Sequence, residues 1–149
     1  MPSSEDARSE DARSEDAVAL SRLVQRWLRW AGEDLVLARS AHADPDAVAR
    51  GACVWAQQCA EKAIKAAVVA QGVDPPKTHS LLRLEQLVPG VLQSALRLVD
   101  LAELTRWSVE GRYPDEMDEA TPADAALAIH TASTVLGIVR TALAVDEDA

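Results

Sequence analysis

Apolar residues recur every three or four positions through most of the chain, which is the repeat of an amphipathic helix. The clearest run lies in residues 16–40, where one face carries Leu20, Leu23, Val24, Trp27, Trp30, Ala31, Leu35 and Ala38. Strand-like alternation is scarce, whereas the helix formers Ala and Leu are abundant. The pattern therefore predicts an all-α fold.

Capping residues and helix breakers divide the chain into four long helices and one short helix. The long helices are predicted at about residues 16–40, 46–71, 91–110 and 122–144, and the short one within residues 77–88. The expected caps are Asp44 or Asp46, then Thr78 or Ser80, then Thr121. Because most connections are short, neighbouring helices must alternate in direction, which predicts an antiparallel up-and-down bundle.

The amino-terminal segment is a five-residue repeat, SEDAR-SEDAR-SEDAV, running from Ser4 to Val18. A period of five matches neither a helix nor a strand, so these residues cannot share one buried face. We therefore predict a disordered acidic repeat tail over residues 1–15 and a helical bundle over residues 16–145.

Composition narrows the possible functions. The 149 residues suit one domain, and the formal net charge of −9 argues against a generally basic nucleic-acid surface. No signal peptide is visible, and no apolar stretch reaches the roughly 20 residues that cross a bilayer. We expect a cytoplasmic protein without a membrane contact. Cys53 and Cys59 lie on different helix faces, which predicts small buried thiols, and no metal site or cofactor is expected.

Two polar stripes run along the predicted helices. Arg22, Arg26 and Arg29 recur at i, i+4 and i+7 in the first helix, as on a solvated face. In the second helix the stripe consists of Gln58, Glu61, Lys62 and Lys65. It is either a solvent face with a Glu61–Lys65 ion pair or an internal network that reaches His79 across the bundle. We favour the internal network.

Four segments in order resemble the HEPN domain family. They are AGEDLVLAR at residues 31–39, QQCAEKAIKA at 57–66, THSLLRL at 78–84 and RYPD at 112–115. The resemblance covers about residues 27–143 and excludes the repeat. It implies a helical bundle that forms a homodimer, often as the partner of a minimal nucleotidyltransferase in a toxin–antitoxin or related complex. Many HEPN proteins are also metal-independent ribonucleases.

The ribonuclease members carry an Arg-x(4–6)-His motif, in which Arg holds the phosphate and His transfers the proton. No arginine lies five to seven positions before His42, His79 or His130. Arg112 resembles the motif's arginine by its place after the fourth helix, but Met117 follows at the spacing where histidine is expected. The resemblance therefore implies a binding protein that lacks this motif.

The candidate residues for binding a nucleotide or a partner are Arg112, Tyr113, Asp115, His79, Lys65, Glu61 and Gln58. The first three belong to the charged loop over residues 111–121, which is long for a bundle. The main hypothesis is a HEPN-type binding protein that contacts a nucleotidyltransferase and, at the shared surface, nucleotide or RNA. The alternatives are a ribonuclease toxin that uses Arg112 with a non-standard acid or base, and a structural helical module without a nucleotide link.

Overall fold

The computed structural model describes residues 1, 3–108, 114–116 and 119–144, and these contain helices and no strand. The all-α prediction is therefore confirmed for the described part of the chain. The helices are α1 Ser4–Ala43, α2 Ala49–Val69, α3 Leu81–Glu85, α4 Gly90–Leu96, α5 Leu101–Thr105 and α6 Pro122–Ala142.

Helix α2 is the centre of the bundle and packs against α1 and α6, which also contact each other. Fourteen of its 21 residues are buried, and alanines make up much of that surface: Ala52, Ala56, Ala60, Ala63, Ala66 and Ala67. Small side chains allow neighbouring helices to approach closely, and leucines from α3, α4, α5 and α6 fill the remaining core. The short connection over residues 44–48 makes α1 and α2 antiparallel neighbours.

Helix α1 begins earlier than the sequence predicts. It starts at Ser4, and the hydroxyl of Ser3 accepts a hydrogen bond from the amide of Asp6 at 3.2 Å. Residues 3–19 are exposed on every side, which agrees with the absence of a common buried face in the repeat. The repeat is therefore helical in the structure, where the sequence predicts disorder, because the capping box and continuation into residues 20–43 support it.

The prediction of one long fourth helix over residues 91–110 is wrong. The structure divides its described part into α4 and α5, with a break between Leu96 and Leu101. Asp100 caps α5, because its carboxylate accepts a hydrogen bond from the amide of Glu103 at 3.1 Å. An aspartate inside a helical pattern competes for backbone amides in this way.

The cap predicted for the second helix is also wrong. Helix α2 starts at Ala49 after Val48, which makes no side-chain capping bond. The carboxylate of Asp44 instead accepts from the amide of Asp46 at 2.9 Å, so it closes the turn before the helix. Gly72 follows the end of α2 with φ of 75°, a left-handed conformation that glycine adopts without strain.

The start of α6 follows the sequence prediction closely. Thr121 is the cap and Pro122 is the first helical residue. The amide of Thr121 donates to the carboxylate of Asp124 at 2.8 Å, and the amide of Asp124 donates to the Thr121 hydroxyl at 3.1 Å. Hydrogen bonds from the backbone amide and the side chain of Thr121 to the carboxylate lower the pKa of Asp124, so this half of the cap is intact at neutral pH and weakens as pH falls through that lowered pKa.

We expect Thr121→Ala to lower the free energy of unfolding by about 1 kcal/mol, because the amide of Asp124 loses its acceptor. Urea denaturation followed by circular dichroism measures this loss. Thr121→Ser is the matched control, since it keeps the hydroxyl and should retain most of the stability. Equal losses in both variants would show that packing of the threonine methyl group, and not the cap, stabilises this end of α6.

Helix α6 is long and apolar enough to cross a membrane by length and composition, with a mean hydropathy of 1.3 in its most apolar window. This differs from the sequence prediction that no apolar stretch is long enough to cross a bilayer. In the structure α6 packs against α2. Its buried residues are Ala125, Ala128, Thr131, Ala132, Val135, Leu136 and Val139. Only 33% of the most apolar window is buried, so packing inside the bundle accounts for one face of this helix.

Candidate functional site

The polar stripe of α2 is not a solvent face. Glu61 and Lys65 are buried, and Gln58 and Lys62 are half-buried. Lys65 Nζ lies 3.9 Å from Oε1 of Glu61, so the expected i, i+4 ion pair forms inside the protein. Buried charges require partners that replace water. The burial therefore rules out the solvent-face interpretation and directs attention to what these side chains contact.

Glu61 connects α2 to the segment that precedes α3. Its Oε1 lies 2.5 Å from Nδ1 of His79, and the Glu61 side chain is only 5% exposed. The two atoms lie within hydrogen-bond distance, so the imidazole and the carboxylate are direct partners. The contact orients an imidazole that is itself 33% exposed.

A second set of bonds connects α2 to α1. Lys62 Nζ lies 2.5 Å from a carboxylate oxygen of Asp34, and it donates to Oε1 of Gln58 at 3.4 Å. The Gln58 amide donates to Oε1 of Gln57 at 2.8 Å, and the Gln57 amide donates to the carbonyl of His79 at 3.1 Å. Each polar group in this series therefore has a protein partner.

These two sets share His79 and form one continuous structure, which we call the α1–α2 polar network. It consists of Asp34, Gln57, Gln58, Glu61, Lys62, Lys65 and His79. The network joins α1, α2 and the segment before α3 at one level of the bundle. It thus holds the three elements in register through charge-assisted hydrogen bonds.

A cleft of about 300 Å³ lies beside the network. Its lining residues are Leu23, Arg26, Trp27, Trp30 and Lys62, and we call it the tryptophan cleft. The guanidinium carbon of Arg26 lies 5.3 Å from the ring centroid of Trp30, a cation–π distance. Trp30 is 45% exposed, so the cleft presents an aromatic face between two cationic side chains.

The structure brings together four of the seven candidate residues, namely Gln58, Glu61, Lys65 and His79. Asp115 is exposed in the short described stretch at residues 114–116. Arg112 and Tyr113 lie outside the described residues. Their assignment to a binding site therefore stays a prediction.

Sequence reasoning missed Asp34 and Gln57 as members of the network. Asp34 is buried on the face of α1 that also buries Ala31, Leu35 and Ala38. An acidic residue at a core-facing position of an apolar stripe is the signal that could have identified it. Gln57 lies four residues before Glu61, so this i, i+4 spacing is the signal that could have identified it.

The cysteines are buried and unpaired, as predicted. Burial raises the pKa of Cys53 to about 11 and that of Cys59 to about 12. Both thiols are therefore protonated at neutral pH, which makes them unsuited to nucleophilic catalysis. No group of three or more His, Cys, Asp or Glu side chains suited to a metal occurs among the residues that the structure describes.

Comparison with known proteins identifies the family. The sequence model of the HEPN domain matches residues 24–142, which is most of the chain and includes the network. The chain belongs to the HEPN domain family. No curated protein is significantly similar in sequence. The family match begins after the SEDAR repeat, so the repeat is an addition to the HEPN domain.

Two solved structures resemble this HEPN protein. One is ST0689, an archaeal HEPN homologue, with 29% identity and a TM-score of 0.63, covering 80% of this chain and 97% of that one. The other is TT1696 from Thermus thermophilus, with 28% identity and a TM-score of 0.62, covering 79% of this chain and 96% of that one. The matched region includes nearly the whole of both known chains, so the entire helical bundle is shared.

Proposed function

We propose that this HEPN protein is a binding module that acts as a homodimer and contacts a minimal nucleotidyltransferase in a toxin–antitoxin-like complex. In this proposal a nucleotide binds at the surface the two proteins share, and the HEPN protein itself does not cut RNA. Its site of action is the cytoplasm.

The observation that carries the proposal is the internal pairing of the α1–α2 polar network. Glu61, buried next to His79 and Lys65, is committed to holding the bundle together. Recognition is then assigned to the adjoining tryptophan cleft, where the ring of Trp30 is exposed beside Arg26. An aromatic face next to a guanidinium suits a base and its phosphate.

The sequence gives independent support. The chain has no Arg-x(4–6)-His motif, and Met117 cannot transfer a proton where the motif's histidine is expected. The next two residues, Asp118 and Glu119, carry carboxyl groups and not the imidazole that the motif uses. A protein of this fold without the acid–base residue is better suited to binding than to cleavage.

We expect ATP to quench the tryptophan fluorescence of the purified protein, and we expect Trp30→Ala and Arg26→Ala to weaken ATP binding by about tenfold each in isothermal titration calorimetry, which does not depend on the removed ring. Trp55→Ala is the matched control, because Trp55 is 39% exposed on α2 and does not line the cleft. The partner is tested by co-purification with nucleotidyltransferases encoded nearby. Absence of both a complex and ATP binding would contradict the proposal and favour a purely structural module.

A ribonuclease is the second candidate, and the geometry of His79 favours it. The carboxylate of Glu61 orients the imidazole, and the His79 side chain remains 33% exposed. This is the arrangement that general bases often have. Growth arrest with RNA cleavage on expression in a bacterial host, lost in Arg112→Ala and in a His79→Asn variant that keeps the wild-type Tm, would establish this alternative. RNA that stays intact with the wild-type protein would exclude it.

A further inference from the structure

The amino-terminal part of α1 projects from the bundle without a partner. Residues 3–19 are exposed throughout, and the first buried residue of the helix is Val24. At 1.5 Å per residue the exposed helical part, residues 4–19, is about 24 Å long. We call residues 4–19 the acidic extension. It lies entirely before the HEPN match, so the shared architecture of the family does not assign it a role.

A helix of this composition is poorly stable by itself. It has no buried face, and isolated helices of about this length are marginal in water. The extension carries six acidic residues and two arginines. Like charges on one segment repel, so a basic surface that packs against the extension would stabilise its helical form.

A basic surface of suitable shape lies further along the same helix. At 100° per residue, one stripe of α1 contains Asp11, Glu15, Val18, Arg22 and Arg26 in that order. The acidic and basic residues are placed symmetrically about the point midway between Val18 and Ala19, and Val18 is apolar and 47% exposed. Helix α1 is therefore complementary in charge to a second, antiparallel copy of itself.

The stripe is accessible in the folded chain. The buried residues of α1 that contact the rest of the bundle centre on Val24, Leu28, Ala31 and Leu35, on the opposite side of the helix from Arg22 and its neighbours. Arg22, Arg26 and Arg29 are all exposed, as the sequence predicted. A second helix can lie along this side without displacing α2 or α6.

We propose that two copies of this protein associate through an antiparallel pairing of their α1 helices, with a two-fold axis near Val18. Glu15 of one copy then faces Arg22 of the second copy, and Asp11 faces Arg26. The two-fold axis forms each pair twice. This inference rests on the homodimer in the proposed function and assigns its contact surface to the acidic extension.

One pair of residues in this antiparallel arrangement is electrostatically unfavourable. The same register places Arg8 opposite Arg29 of the second copy, which are like charges. Glu33 lies 3.9 Å from Arg29 in its own chain and reduces that repulsion. The four opposite-charge contacts outnumber the two like-charge ones, so the net electrostatic effect favours association at low salt.

A disulfide test measures the pairing directly. Val18→Cys places two thiols next to the two-fold axis, where the Cα separation permits a disulfide. Ala7→Cys is the control on the same helix, because antiparallel pairing keeps its two copies about 34 Å apart along the axis. We expect Val18→Cys to form a covalent dimer under mild oxidation and Ala7→Cys to remain uncrosslinked. The native thiols are buried and do not compete.

Reversing the charges of Glu15 and Arg22 tests whether ion pairs cause the association. In the full chain, Glu15→Arg alone and Arg22→Glu alone should each weaken dimerisation by more than about tenfold in sedimentation velocity, because like charges then face each other. Mixing the two variants should restore a heterodimer, since each then supplies the charge that the other lacks. Dimerisation of the wild type should also weaken at 1 M salt.

Two results would overturn the inference. A protein that is monomeric at every salt concentration removes both this interface and the proposed homodimer. A stable dimer that Val18→Cys does not crosslink, or that Ala7→Cys crosslinks equally well, removes the antiparallel α1 interface but leaves the homodimer in place through another surface.

Discussion

Glu61→Ala should lower the free energy of unfolding by about 3 kcal/mol, which corresponds to a fall of roughly 10 °C in Tm for a domain of this size. The loss is large because Glu61 is 5% exposed and holds two groups at once. Its removal leaves the ammonium of Lys65, 10% exposed, without the carboxylate that lies 3.9 Å away. It also releases the imidazole of His79. Guanidinium denaturation at pH 7 measures the change.

The chain contains a close control for this experiment. Arg29 and Glu33 are also four residues apart on a helix and also separated by 3.9 Å, but their side chains are 67% and 62% exposed. Glu33→Ala should therefore cost less than about 0.5 kcal/mol. Glu61→Gln keeps the side-chain volume and separates loss of charge from loss of packing. Equal effects of Glu61→Ala and Glu33→Ala would show that burial does not strengthen the internal pair.

The features that the sequence revealed are those that depend on local chemistry. Periodicity located the three long helices, and the cap at Thr121 was predicted to the residue because three neighbouring residues all favour it. The contact between Glu61 and His79 was also anticipated, since the polar stripe of α2 and the segment before α3 both needed a partner. Local helix signals and the need to satisfy buried charges were sufficient in these cases.

The features that the sequence did not reveal depend on tertiary context. The pattern over residues 91–110 is apolar enough for one helix, and only the capping bond of Asp100 shows where it breaks. Asp34 looks like an ordinary helix residue until α2 places Lys62 next to it. The tryptophan cleft likewise exists only because α1 and α2 lie side by side. A single helix cannot indicate which of its polar residues a neighbouring helix will bury.

The α1–α2 polar network changes how the candidate residues are interpreted. Residues that sequence reasoning proposed for binding, such as Glu61 and Lys65, contribute to the internal support of the bundle. Substituting them would therefore reduce both stability and binding, and a loss of function alone would not locate the site. Variants of Trp30 avoid this ambiguity, because Trp30 is 45% exposed and belongs neither to the core nor to the proposed contact between two copies, whereas Arg26 faces Asp11 in that contact.

Removing either member of the ion pair between α1 and α2 should lower the free energy of unfolding, but by unequal amounts. Lys62→Ala leaves the carboxylate of Asp34, 10% exposed, without the ammonium that lies 2.5 Å away. We expect a loss of about 3 kcal/mol, the cost of an uncompensated buried charge. Asp34→Ala should cost less, about 1–2 kcal/mol, because the longer side chain of Lys62 can turn toward water and keep its bond to Gln58.

The double variant Asp34→Leu/Lys62→Met decides why the single losses arise. If the cost of Lys62→Ala comes from an unpaired charge, removing both charges and filling the space with apolar atoms should restore most of the stability. Urea denaturation compares the free energies of unfolding of the three variants. Near-ultraviolet circular dichroism of the tryptophans checks that the packing is retained. A double variant as unstable as Lys62→Ala would instead mean that this pair positions α1 on α2 in a way that apolar contacts cannot replace.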